Sequence, residues 1–110
     1  MKSEAVSNHY RNQRYKREEF IKRYLHDEGQ IVDGFIVDRG HRNGAEVHSL
    51  TDKGVIIIHN YNTGVLITKL IAKPEQIIRY YENTNREKPP EYKHILQLAQ
   101  WHESLCYNYA

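Results

Sequence analysis

The sequence predicts an α+β fold. It comprises an N-terminal helix, a four-stranded antiparallel sheet in meander order, then a short helix and a C-terminal helix packed on the sheet. Three observations predict it. Three strand-like runs follow one another between residues 45 and 72, the first alternating and the next two rich in β-branched residues, which suit the pleated backbone because their χ1 restriction costs little there. Two short polar linkers, Thr51-Asp52-Lys53-Gly54 and Asn62-Thr63-Gly64, separate the runs and end in glycine, which can take the positive φ that tight hairpins need. On either side of this block, apolar residues recur at helical spacing.

Residues 1–8 are polar and are expected to fray. No apolar run follows Met1-Lys2-Ser3-Glu4-Ala5-Val6, so no secretory signal is expected. Residues 9–25 read as a basic helix. Phe20, Ile21, Tyr24 and Leu25 form its apolar stripe, and Arg11, Arg14, Lys16, Arg17, Lys22 and Arg23 occupy much of the rest. Gly29 supplies a stop signal. A solvated face explains such a cluster, and so does a helix that contacts phosphates.

The first strand is expected over residues 30–37. The loop Asp38-Arg39-Gly40-His41-Arg42-Asn43-Gly44 follows, polar and glycine-bracketed. Loops of this chemistry held between strands often carry function. In the second strand, residues 45–50, Glu46, His48 and Leu50 share a face. In the third, residues 55–61, Val55, Ile57, His59 and Tyr61 do. Strict alternation in the fourth, residues 65–72, sets Leu66, Thr68 and Leu70 against Val65, Ile67, Lys69 and Ile71. Both faces of the last two strands are largely apolar, which predicts cover on both sides. Pro74 opens a short helix over residues 74–81, where its missing N–H is no loss. The last helix runs from Tyr92 to about Tyr107, with Ile95, Leu98, Ala99, His102, Leu105 and Cys106 on its apolar face.

A chain of 110 residues reads as one domain. Its net charge of +2 creates no global field that demands a nucleic-acid partner. The single cysteine, Cys106, rules out an internal disulfide and fits a reducing compartment. No run reaches the length of a membrane span. The expectation is a soluble cytoplasmic protein with no membrane partner. Nine tyrosines suit a binding surface, since each offers a stacking face and a hydroxyl.

The seven histidines do not fall into a metal-ligand spacing. His41 and His48 are too far apart for a one-turn pair, His94 and His102 are two helical turns apart, and no H-E-x-x-H occurs. No metal and no cofactor is expected. There is no glycine-rich phosphate loop and no nucleophile elbow, and Cys106 on a buried helix face reads as packing. What remains is a metal-free cluster: His41, Arg42, Glu46, His48, His59, Thr68, Lys69 and Arg79. These types meet the needs of metal-free RNA cleavage. A histidine or glutamate can take the 2′-hydroxyl proton, a cation can stabilise charge on the phosphorus oxygens, and an acid must protonate the leaving 5′-oxygen. His48 and His59 are candidates for the two proton roles if the register puts them on one face.

The stretch Glu46-Val47-His48, then Gly54-Val55-Ile56-Ile57-Ile58, then Asn62-Thr63-Gly64, then Ile67-Thr68-Lys69-Leu70-Ile71-Ala72-Lys73-Pro74-Glu75-Gln76-Ile77-Ile78-Arg79-Tyr80-Tyr81 resembles the core of small phage- and toxin-associated domains. Those belong to the barnase/EndoU/colicin/RelE-like nuclease superfamily. The resemblance implies a helical N-terminal part, a four-stranded antiparallel sheet, and RNA cut without metal on the sheet face. It implies that His48 is the family histidine and Thr68 the strand threonine, with Arg42, Lys69 and Arg79 as cationic helpers. The chain after Pro90 departs from the compact members.

The leading expectation is therefore a metal-independent ribonuclease, toxin-like or a mobile-element accessory. Its catalytic residues would be His48, Thr68, Arg42, His59 and Lys69. Arg11, Arg14, Arg17, Arg79 and Tyr81 would hold nucleic acid. The alternative is a non-catalytic phage or plasmid module that binds nucleic acid, or a nucleic-acid-processing protein, through the basic helix and tyrosines. A protein partner such as an antitoxin fits either reading. An enzyme needs a base, an acid and a cation converging at one concave point, whereas a binder needs a basic strip with aromatics.

Overall fold

The computed structural model describes residues 17–109, with side chains over residues 17–105. Arg11, Arg14 and the side chain of Cys106 lie outside the described residues, as do residues 1–8. Four strands, β1 (Ile31–Val37), β2 (Glu46–Thr51), β3 (Val55–Asn60) and β4 (Leu66–Ile71), form one antiparallel sheet in the order β1-β2-β3-β4. Two helices follow, α1 (Pro74–Thr84) and α2 (Tyr92–Tyr109). Before β1, residues 17–20 are α-helical and run into a π-helical turn, Ile21–Leu25. The expected α+β meander is what forms, and α1 continues beyond Tyr81 to Thr84, where Asn85 ends it in the left-handed conformation.

Alternation along β3 divides two cores. Ile56 and Ile58 join Phe35 and Leu50 against Ile77 and Tyr81 of α1 and Ile95 and Ala99 of α2. Val55 and Ile57 point the other way and pack on Ile21 and Leu25 of the N-terminal helical segment. Cover on both faces is the reason the middle of the sequence reads as nearly unbroken hydrophobic strand.

β4 breaks the expected alternation. Ile58 pairs with Thr68, but His59 pairs with Leu66, so Ile67 is an extra residue in the ladder. A bulge of this kind shifts the parity of everything beyond it. Ile67 therefore packs with Leu70 on the α-helical side, and Leu66 packs with Ile71 on the other.

The β2–β3 turn closes through a bond from the Gly54 N–H to the Thr51 carbonyl at 3.0 Å. Buried Thr51 accepts at Oγ1 from the N–H groups of Lys53 (3.2 Å) and Val55 (3.1 Å). Gly54 takes φ +81°, and a β-carbon there would touch the ring of His102, 3.8 Å from Nδ1. The turn thus lies against α2. No described helix is long and apolar enough to cross a membrane.

Candidate functional site

The register decides which of the candidate residues can meet. His48 stands opposite Phe35 on one side and Ile58 on the other, so it points into the main core, and it is 1% exposed. A buried imidazole must find partners for its ring nitrogens, and His48 has both. Nε2 lies 2.8 Å from Glu46 Oε1 and Nδ1 lies 2.5 Å from the Tyr80 hydroxyl. A carboxylate can accept but not donate, so we assign the proton to Nε2, donating to Glu46. Nδ1 then accepts from the Tyr80 O–H. Burial pushes the His48 pKa down, while the hydrogen bond to Glu46 pulls it partly back up. Burial likewise raises the Tyr80 hydroxyl to about 12. The chain Glu46–His48–Tyr80 is therefore carboxylate, neutral imidazole, neutral phenol.

Glu46 is the end of this chain that reaches the surface. It lines a cavity of about 590 Å³ together with His41, Arg42, Asn60 and Thr63. The cavity walls are the loop after β1 and the β3–β4 turn. Asn60, buried at the end of β3, holds both. Its Nδ2 donates to the Asn43 carbonyl at 2.9 Å, and its Oδ1 accepts from the N–H groups of Asn62 and Thr63, each at 2.9 Å. The loop itself turns through a bond from the Gly44 N–H to the His41 carbonyl at 3.0 Å, with Gly44 at φ +93°. A β-carbon at Gly44 would fall 2.7 Å from Nδ2 of the exposed Asn62 side chain, which would have to turn aside, so it is the positive φ that favours glycine here. His41 and Arg42 are exposed and stand at the tip of this braced turn.

The other expected site residues separate. His59 pairs with Val47, not with His48, and adjacent residues on a strand face opposite ways. The expected His48–His59 pair therefore does not form. Lys69 pairs with Ile57 in the ladder and makes an ion pair with Glu28, on the face away from His48. Thr68 is buried, and its Oγ1 accepts from Arg17, whose Nη1 also donates to the Lys69 carbonyl at 2.6 Å. In the register Ile58 stands between Thr68 and His48, and two inter-strand steps amount to about 9.5 Å. Arg17 thus braces the β4 edge. Tyr81 is buried in the core, four residues after Ile77 on the same helix face, and its hydroxyl donates to Asp33 Oδ2 at 2.8 Å. It does not present a stacking surface. Arg79 is exposed and lines a second cavity with Arg39 and Tyr80.

Tyr80 and Asn60 are the site residues that sequence reasoning missed. Tyr80 sits beside Tyr81 in a helix, and nothing in the spacing says which of the two reaches the histidine. Asn60 ends a β-branched run just before a turn, a position that asparagine takes for its ability to bond nearby backbone N–H groups. That signal was present in the sequence. We predict that Asn60→Ala costs about 2 kcal/mol in urea denaturation, because three hydrogen bonds are lost from a buried side chain. Amide exchange at Asn62 and Thr63 should speed up at the same time.

Among the described residues, no group of three or more His, Cys, Asp or Glu is placed to hold a metal ion. No protein-family model, no curated protein and no solved structure matches this chain.

Proposed function

We propose that this chain is a metal-independent ribonuclease whose working residues are Glu46, His41 and Arg42. The single observation that supports the reading is that a carboxylate, an imidazole and a guanidinium line one cavity. Glu46 takes the proton from a 2′-hydroxyl. The 2′-oxygen attacks phosphorus, and the bond from phosphorus to the 5′-oxygen breaks. His41, entering as imidazolium, gives its proton to that leaving oxygen. Arg42 stabilises the charge that gathers on the two non-bridging oxygens. The products are a 2′,3′-cyclic phosphate and a 5′-hydroxyl.

In this scheme His48 is a positioning residue. It is too deeply buried to touch RNA, and its Nε2–H fixes the orientation of Glu46. The scheme departs from the roles that the resemblance to the barnase/EndoU/colicin/RelE-like superfamily implies, since His48 and Thr68 are both buried and neither lines this cavity. Incubation of the protein with total RNA in excess chelator tests it. Fragments ending in a 2′,3′-cyclic phosphate are expected, with Arg42→Gln slower by about 10²-fold or more, the usual loss when one oxyanion donor is removed. RNA that stays intact with the unaltered protein would overturn the proposal, as would equal rates for both forms.

A further inference from the structure

We infer that the cavity between the end of β1 and the outer face of α1 is a second nucleotide subsite for the same substrate, making that substrate single-stranded RNA that crosses the loop of residues 38–44. The inference rests on the ribonuclease reading and extends it to a part of the surface that the chemistry does not need.

The cavity is about 400 Å³, within the range of ~300–1,000 Å³ that holds small ligands. Arg39 and Arg79 both line it, two guanidinium groups suited to a phosphate. Asp38 lies on the same rim but accepts the Gly40 N–H at Oδ1, at 2.9 Å. The inner wall is Tyr80, stacked on Phe35 at 4.8 Å between ring centroids. Ile36 borders it along the edge strand, with its side chain on the face opposite Phe35. Two carboxamides complete the lining. Gln76 commits its Oε1 to the Lys73 N–H at 2.8 Å, which leaves its NH₂ as donor. Asn83 is exposed on the next turn but one. Unpaired RNA bases are recognised by stacking and by hydrogen bonds to their edges, and this lining offers groups for both.

The placement links the subsite to the reaction. One loop supplies Arg39 to this cavity and His41 and Arg42 to the other. Tyr80, in the wall here, is joined through His48 to Glu46, in the wall there. A strand seated in both cavities would pass over that loop with its reacting phosphate at Glu46.

The probes are adenosine 3′-monophosphate and a 2′-O-methyl triadenylate, which cannot be cleaved because it lacks a free 2′-hydroxyl. Amide chemical shifts are followed during titration of each. The trinucleotide should move Gly44 and Thr63 in the first cavity and also Arg39 and Asn83 in the second. Arg79→Glu should shrink the affinity advantage of the trinucleotide over the mononucleotide about tenfold, the loss expected for one charged phosphate contact. If the trinucleotide moves Gly44 and Thr63 alone, or the advantage is unchanged in Arg79→Glu, the second subsite is wrong and the ribonuclease reading stands. If neither probe moves either set, the ribonuclease reading fails and the subsite falls with it.

Discussion

Glu46→Gln should lower kcat for RNA cleavage by about 10²- to 10⁴-fold, the range that a general base contributes, while KM stays nearly constant. At room temperature this is about 3–5 kcal/mol on the barrier. The substitution is chosen because it separates proton affinity from geometry. A carboxamide has the shape of the carboxylate, and its oxygen can still accept the His48 Nε2–H that Glu46 Oε1 accepts at 2.8 Å. His48 keeps both partners, the loop keeps its Asn60 brace, and the cavity keeps its form. What disappears is a group that can take a proton from the 2′-hydroxyl. Urea denaturation should show nearly unaltered stability, so a loss of rate cannot be assigned to unfolding. Steady-state cleavage of a short RNA in excess chelator supplies the measurement. A Glu46→Gln protein as active as the original would remove Glu46 from the chemistry and leave the cavity without a base.

The strands were legible in the sequence because two independent signals agree at them. Val55-Ile56-Ile57-Ile58 can hardly be anything but buried strand, and glycines at 54 and 64 mark where it must turn. The site was legible in composition but not in assembly. His41, Arg42, Glu46 and His48 all stood out, yet sequence spacing does not say that Glu46 would reach the surface while His48, two residues on, would be buried under α1. That outcome depends on Tyr80 arriving from 32 residues away to cap Nδ1. The β4 bulge was invisible for a similar reason. Leu66-Ile67-Thr68 contains no glycine and no break in β-propensity, so alternation runs through it on paper. The extra residue is set by pairing with β3. Arg17 on Thr68 and Glu28 on Lys69 then occupy two residues that the family resemblance had offered to the substrate.

The chain should lose stability as pH falls below about 6.5, and His102→Leu should remove much of that loss. His102 is fully buried on α2, edge-on to Phe20 at 5.9 Å, with neither ring nitrogen hydrogen-bonded. Burial pushes its pKa below the ordinary 6.5. His48 is also pushed down from 6.5, but there the Glu46 hydrogen bond opposes the shift. The sign follows from which state binds the proton first. Above pH 6.5 both states are neutral and stability does not depend on these groups. Below it the unfolded chain takes up protons that the folded one refuses, so folding weakens until the folded pKa values are reached. Each such histidine contributes at most about 1.4 kcal/mol per pH unit, and the two together about 2.7. In His102→Leu the slope should fall by about half. Stability at pH 7.5 should rise by about 1 kcal/mol, since two desolvated nitrogens without partners are exchanged for methyl groups of similar volume. Urea midpoints from pH 7.5 down to 5, taken with their m-values, report both quantities. A slope in His102→Leu equal to that of the original protein would mean that the ring on α2 finds its proton in the folded state as easily as in the unfolded one, which its burial among Phe20, Gly54 and Ile95 should forbid.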